Sequence, residues 1–402
     1  RRAYMNPDNV LRASILADPD GARTNTKDNT PGVVHYEIVP GDTVEVHVAA
    51  KGGGSEAKSK FAMLNPSDSV VDWVLNMVPQ MGAGWCPPGM LGIGIGGTAE
   101  KAMMLAKEAL LEPVDIQDLQ ARGASNRAEE LRLELHEKVN KLGIGGLTTV
   151  LDVKVKDFPS HAANKAIAMI PNCAATRHTH FTLDGSGSAK LTPPKLEDWP
   201  EVTREAGANV KRVNLDTVTK EEVKGWKPGD TLLLNGKMLT GRDAAHKKMV
   251  DMINNGEELP VSMQGRFIYY VGPVDPIGKE VVGPAGPTTA TRMDKFTRTM
   301  LAETGLLGMI GKAERGPIAI EAIKEFESVY LMAVGGAAFL VAQAIKASKV
   351  VGFPELGMEA IYEFELEDMP VTVAVDYQGE SIHQTGPAFW SKKIEAEAIE
   401  VR

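Results

Sequence analysis

Thr231-Leu-Leu-Leu-Asn235-Gly-Lys-Met-Leu-Thr240-Gly241-Arg242-Asp243-Ala-Ala-His246-Lys-Lys-Met-Val-Asp-Met-Ile-Asn254 is the stretch that decides the fold of the second half of the chain. Its opening Thr231–Asn235 is a short apolar run of the kind buried in a sheet, and Arg242–Asn254 carries apolar residues at helical spacing. A buried strand that feeds a helix through a glycine turn is the repeating unit of an α/β sheet. The alternation continues downstream. Phe267–Val271, Val329–Val334 and Val371–Val375 read as strands, and Thr288–Thr304, Pro317–Phe326 and Ala338–Ala347 as helices. Residues 201–402 are therefore expected to form an α/β domain.

Upstream, Asp184–Pro200 is dense in Gly, Ser and Pro and has no sustained period, which marks a boundary with a linker at 190–200. Residues 1–189 then form a separate domain. In it, Val33–Ala49 alternates apolar and polar residues around Pro40-Gly41-Asp42, the pattern of a hairpin. Ser67–Val78 and Glu100–Leu111 are helical, and Asn126-x-x-Glu129 caps a long helix running to Lys141. The whole is a mixed α/β protein with a helix-rich α+β amino-terminal domain, and no internal repeat interrupts it.

Composition narrows the function. With 402 residues, 43% of them hydrophobic and 24% charged, the chain has the make-up of a globular protein of two or three domains. A net charge of −9 provides no broad cationic face, so a nucleic acid is not the expected partner and an anionic ligand needs a local basic cluster. The longest apolar run, Leu331–Ile345, contains Gln343 and falls short of the ~20 residues that span a bilayer. The amino end, Arg1-Arg2-Ala3, shows no secretory pattern and no initiator methionine, so the chain is expected to lack its upstream start. Two cysteines, Cys86 and Cys173, do not make a disulfide framework and point to a reducing compartment, the cytoplasm or an organelle.

Several segments have residue types that carry chemistry. Gly92-Ile-Gly94-Ile-Gly-Gly97 matches G-x-G-x-x-G, but a turn sequence, Trp85–Met90, precedes it where a dinucleotide fingerprint needs a strand. A tight loop for close backbone approach is the expected role. Lys51-Gly-Gly-Gly-Ser55 lacks P-loop spacing yet lets backbone amides approach an anion. His178 and His180 do not have zinc spacing relative to Cys173 and read as hydrogen-bonded histidines on one face of a strand, whereas Cys86, set among Pro and Gly, reads as a ligand or reactive thiol. Thr288 follows Pro287 at a helix start and suits an N-cap. Arg242, Arg292 and Lys312 are tied to glycine turns or a helix start, and together they supply the charge that a dicarboxylate requires.

Taken in order, K-G-G-G-S at 51–55, C-P-P at 86–88, I-G-G-T at 95–98, His161-x11-Cys173, G-R-D-x-A-H at 241–246, G-P-T-T-A-x-R-M-D at 286–294 and G-K at 311–312 resemble the class I, iron-sulfur-dependent fumarate hydratases and their relatives, the L-tartrate dehydratases and mesaconate hydratases. The resemblance implies a cluster-binding first domain, a swivelling α/β second domain, a homodimer, and hydration of fumarate to malate, a tricarboxylic acid cycle step. It implies an oxygen-sensitive [4Fe-4S] cluster, with Cys86 and Cys173 as two of its three ligands. The third belongs to an upstream Cys-Gln-Asp segment that this sequence does not contain. It also implies substrate carboxylate binding by Arg12, Gly54, Arg242, Arg292 and Lys312, proton abstraction by Thr288, and His161 placed near it. An incomplete ligand set leaves a competing expectation, a non-catalytic dicarboxylate-binding scaffold.

Overall fold

Alternating large and small residues give Gly89–Gly96 its place at the centre of one sheet: Leu91 and Ile93 point to one face, Gly92 and Gly94 to the other. The computed structural model describes residues 1–6, 9, 12–175, 177–189, 191 and 210–397, so the linker expected at 190–200 lies, apart from Leu191, outside the described residues. The chain divides into two compact units, one made of residues 34–207 with 386–402 and the other of residues 1–33 with 208–385.

The 34–207 unit runs β1 (Val44–Ala49), α1 (Gly53–Glu56), β2 (Lys60–Leu64), α2 (Val70–Met81), β3 (Gly89–Gly96), α3 (Ala99–Ala109), α4 (Ile116–Arg122), α5 (Arg127–Asn140), β4 (Val150–Phe158), β5 (Lys165–Cys173) and β6 (His178–Leu183). Four strands form a sheet in the order β2-β5-β3-β4, with β3 and β4 parallel and β5 antiparallel to both of its neighbours. Val74 and Val78 of α2 and Leu131 and Leu135 of α5 share a core with Leu91, Ile93, Val153 and Met169 on one face. On the other, Ala102 and Ala106 of α3 pack with Met90, Ala166 and Ala168.

Both helices on the first face begin as their sequences direct. Ser69 accepts a hydrogen bond from the Asp72 N–H, and Asn126 one from the Glu129 N–H.

Two expectations are corrected here. Gly92 and Gly94 lie inside β3 rather than in a loop. A Cβ on Gly92 would stand 2.2 Å from the Ala106 carbonyl oxygen, and one on Gly94 2.0 Å from that of Ala102. The glycines let α3 sit against the strand backbone; close approach was the right reading, and the partner is a helix. The hairpin around Pro40-Gly41-Asp42 does not form either. β1 pairs antiparallel with β6, His47 opposite His180, and residues 34–39 are in no strand.

The other unit runs β7 (Lys211–Asn214), α6 (Lys220–Lys224), β8 (Thr231–Thr240), α7 (Asp243–Asn254), β9 (Phe267–Tyr269), α8 (Asp294–Thr304), β10 (Gly308–Gly311), α9 (Pro317–Glu325), β11 (Val329–Met332), α10 (Ala338–Ala344), β12 (Ile345–Gly352) and β13 (Ile361–Val375), and α11 (Ile382–Glu397) belongs from residue 386 on to the 34–207 unit. Strands β7 to β11 are parallel neighbours. The fifteen-residue β13 is antiparallel to β11 and to β8, which closes the sheet on itself, and β12 is added outside it. The expected helix Ala338–Ala347 ends at Ala344, where the β-branched residues Ile345, Val350 and Val351 take the chain into a strand.

Candidate active site

In parallel α/β sheets, open or closed, ligands bind beyond the carboxyl ends of the strands, where the loops are free to carry polar groups. The 208–385 unit places its candidate residues there. Arg242 follows β8 at once and precedes α7 in extended backbone conformation. Thr288 and Arg292 lie on the long connection after β9, and Lys312 follows β10. Backbone hydrogen bonds tie these loops together. Thr288 N–H donates to the Tyr270 carbonyl at 2.7 Å, Lys312 N–H to that of Thr288 at 3.1 Å, and Ala290 N–H to that of Lys312 at 3.0 Å. Thr288 is therefore not the expected N-cap. Its main chain serves as a rung between two loops, and the first helical turn, a 3-10 turn at Ala290–Met293, begins after it.

Each candidate arginine of this unit faces a carboxylate. Arg242 donates to Glu359 at 2.7 Å, and Glu359 also accepts from the Ala244 N–H at 2.9 Å. Burial by itself raises the Glu359 carboxyl, but Arg242 outweighs it and holds the group below its ordinary pKa. Arg292 makes a two-pronged contact with Asp243. Arg12 is buried, pairs with Glu280 and donates to the Asp275 carbonyl at 3.3 Å. Among the described residues the buried Nε–H groups of Arg12 and Arg242 have no partner. Behind Arg242, His246 is buried against Tyr270 and Phe296, and burial pushes its imidazole down to about 4. Glu280, Asp243 and Glu359 escape sequence reasoning because an acidic residue in a loop has no signature of its own; only G-R-D at 241–243 pointed at one of them.

In the 34–207 unit, Cys173 ends β5 as the register partner of Gly89, three residues after Cys86, so both thiols lie at the same end of the sheet. Neither forms a disulfide, and both are half-buried. Cys86 has φ +63°, a left-handed conformation that costs a non-glycine residue energy and that clusters at functional sites. Gly54 belongs to α1, where Lys51 donates to Ser55 at 3.2 Å and pairs with Glu56 at 2.9 Å. Desolvation holds Lys51 below its ordinary pKa, while Glu56 and Cys173 pull the other way, which puts Lys51 within electrostatic reach of the Cys173 thiol. Lys51 was legible only as the first letter of K-G-G-G-S.

His161 lies elsewhere. It sits in the turn between β4 and β5, at the opposite end of the sheet from the cysteines, and the nine residues of β5 span roughly 25 Å at ~3.3 Å each. There it lines a cavity of about 840 Å³ with Met63, Thr98, Lys101, Phe158 and Asn164.

An iron-sulfur cluster fits these residues at two positions. Two thiols share one end of a sheet, and the buried indole N–H of Trp85, next to Cys86, has no partner among the described residues. Among the described residues no group of three His, Cys, Asp or Glu is close enough to hold a metal ion. The ligand set is thus incomplete.

Comparison with known proteins accounts for both units. The model of the fumarate hydratase (fumerase) family matches residues 1–182, and that of the fumarase C-terminus matches residues 185–386. The aerobic class I fumarate hydratase of Escherichia coli K12 is 33% identical over 379 residues, covering 90% of this chain and 69% of its own. Fumarate hydratase 2 of Leishmania major is 32% identical over 380 residues, 89% of this chain and 66% of its own. A putative L(+)-tartrate dehydratase subunit beta from Methanocaldococcus jannaschii is 36% identical over 172 residues, 42% of this chain and 88% of its own. Two family models that together take in nearly the whole chain, with a relative at a third identity, show that it belongs to the class I fumarate hydratase family and is a hydro-lyase.

Proposed function

We propose that this chain hydrates fumarate reversibly to L-malate, and that Arg242, Arg292, Lys312, Arg12 and Gly54 bind the two carboxylates. The observation that carries this reading is the convergence of Arg242, Thr288, Arg292 and Lys312 on loops at the carboxyl ends of three adjacent parallel strands. An arginine fork binds a carboxylate through two parallel N–H donors, and a protein carboxylate behind it holds the guanidinium in place. Arg242 has that support in Glu359, and Arg292 in Asp243. The partnerless Nε–H groups of Arg12 and Arg242 are donors that an arriving carboxylate can satisfy after small side-chain shifts.

Thr288 is the residue assigned to proton abstraction at the substrate carbon. A threonine hydroxyl is a weak base, so the positive charge of Arg292 and Lys312 must favour its alkoxide in the bound state. Cys86 and Cys173 would hold a [4Fe-4S] cluster together with a third ligand from outside this sequence. When bound, such a cluster supplies a Lewis acid for the substrate's hydroxyl and carboxylate, and it makes the enzyme sensitive to oxygen.

His161 and the two cysteines stand at opposite ends of one sheet, so they cannot serve the same site within one protomer. A homodimer, in which each copy lends His161 to the other's cysteine end, resolves this. Two cysteines outside any disulfide suit a reducing cytoplasm or organelle lumen. No helix among the described residues is long and apolar enough to cross a membrane.

The reading is tested by anaerobic reconstitution with iron and sulfide, followed by iron analysis and assays with fumarate, L-tartrate and mesaconate. Iron uptake that depends on both cysteines, with fumarate turned over fastest, is expected. Preference for tartrate, the substrate named for the archaeal relative, would move the chain to that branch. Dicarboxylate binding without iron or turnover, even when the family's upstream Cys-Gln-Asp segment is restored, would establish the scaffold instead.

A further inference from the structure

The β1–β6 ribbon and the segment before it form an unfinished sheet. A two-stranded ribbon is marginal in water by itself and needs a third strand or a packed apolar face. Here no third strand is supplied among the described residues, and Val46, Phe181 and Leu183 are only half-buried. Val44, Val46 and Val48 share one face of β1, opposite Leu183, Phe181 and Thr179 of β6, and Val44 and Val48 are 58% and 51% exposed. The arm that should have folded back on β1 joins no strand among the described residues, and Glu37 reaches Lys101 of α3 at 4.0 Å. In the arm Val34 is 63% exposed, Tyr36 90%, Ile38 98% and Val39 65%.

Its sequence, Val34-His-Tyr-Glu-Ile-Val39, has the β-branched and aromatic residues of a strand. The four arm side chains and the two valines of β1 together present on the order of 700 Å² of surface, more than the ~300–600 Å² of the largest apolar patch on a typical monomer. That amount is close to the ~800 Å² that each partner contributes to a standard interface.

We propose that this arm and ribbon are where a second copy of the chain docks, each copy's Val34–Val39 adding to the other's β1–β6 ribbon. A two-fold pair covers both arms and both valine faces at once with no other component, because in such an interface the same patch meets itself. The edge of β1 away from β6 has no partner among the described residues and offers its backbone groups to an added strand. The inference rests on the homodimer reading above and names its surface. The opposite face of the ribbon, with Glu45, His47 and His180, remains polar.

Light scattering during size exclusion on the full chain tests it, with Ile38→Asp/Tyr36→Ser as the variant. A wild-type mass of two chains is expected, and a variant mass of one chain at the same micromolar concentration, with unchanged far-ultraviolet circular dichroism. Hydrogen exchange on the wild type is the second measurement, in which amides 34–39 should be protected when concentrated and lose protection on dilution. A variant that stays dimeric, or arm amides that exchange freely in the dimer, would overturn this surface and leave the homodimer standing. A monomeric wild type would overturn both. Should the arm amides be equally protected at every dilution, the arm pairs within its own chain and the proposal fails.

Discussion

The two units gather their chemistry in opposite ways. In the 208–385 unit, four candidate residues that are up to seventy positions apart reach one place, because parallel strands present all their carboxyl ends on one side. In the 34–207 unit, His161 and Cys173 are only twelve positions apart in sequence, and the nine residues of β5 between them carry them to opposite ends of the sheet. Closeness in sequence says little about closeness in a sheet. The direction of the strands decides, and only the parallel unit assembles a site by topology alone.

The comparison breaks first at the cysteines. Cys86→Ser and Cys173→Ser should each remove iron from the reconstituted protein and lower turnover at least about a hundredfold, since losing a ligand costs more than losing a group behind it. If either variant kept full iron, that end of the 34–207 unit would not be a metal site.

Next, Gly94→Ala forces a Cβ against the Ala102 carbonyl of α3 and should destabilise the protein by about 1 to 3 kcal/mol in urea unfolding, with no defect specific to substrate binding. An unchanged midpoint would show that α3 moves away freely. Arg292→Lys keeps the charge but loses the fork, and at least a tenfold fall in kcat/KM, about 1.4 kcal/mol, is expected in anaerobic assays of the holoenzyme. Wild-type turnover would take Arg292 out of the assigned site.

The smallest effect concerns His246. Its folded pKa, about 4, is below the ordinary 6.5, so the unfolded chain binds the proton more readily, and stability falls as pH drops through 6.5 towards 4. The protein should be about 1 kcal/mol less stable at pH ~5.5 than at pH ~7 from this group. His246→Gln should flatten that part of the profile; an unaltered slope would assign it to other groups.

What could be read in the sequence follows the same division. The strand-turn-helix reading of Thr231–Asn254 and the cap at Asn126 both hold, because each depends on neighbours within a few residues. Gly92–Gly97 misled for the converse reason: its glycines answer to α3, a contact that no local pattern reveals. Likewise Pro40-Gly41-Asp42 is a fair turn, yet β6, more than a hundred residues on, provides the partner of β1. In the candidate site the basic residues and cysteines were legible because their motifs are distinctive. Glu280, Asp243 and Glu359, which hold the arginines, were not, since pairing across a fold is invisible in one chain's order of residues.

The pairing of Arg12 with Glu280, across 268 positions of sequence, also sets a timetable for synthesis. At ~5 to 20 residues per second, roughly 15 to 50 s separate the moments when the two residues leave the ribosome. Throughout that interval residues 1–33 have no unit to join, while the chain of the 34–207 unit is already emerging after them. A nascent chain of this protein therefore carries Arg12 and the residues around it unplaced until Glu280 arrives, a window in which a chaperone or a protease meets that segment before its partner does.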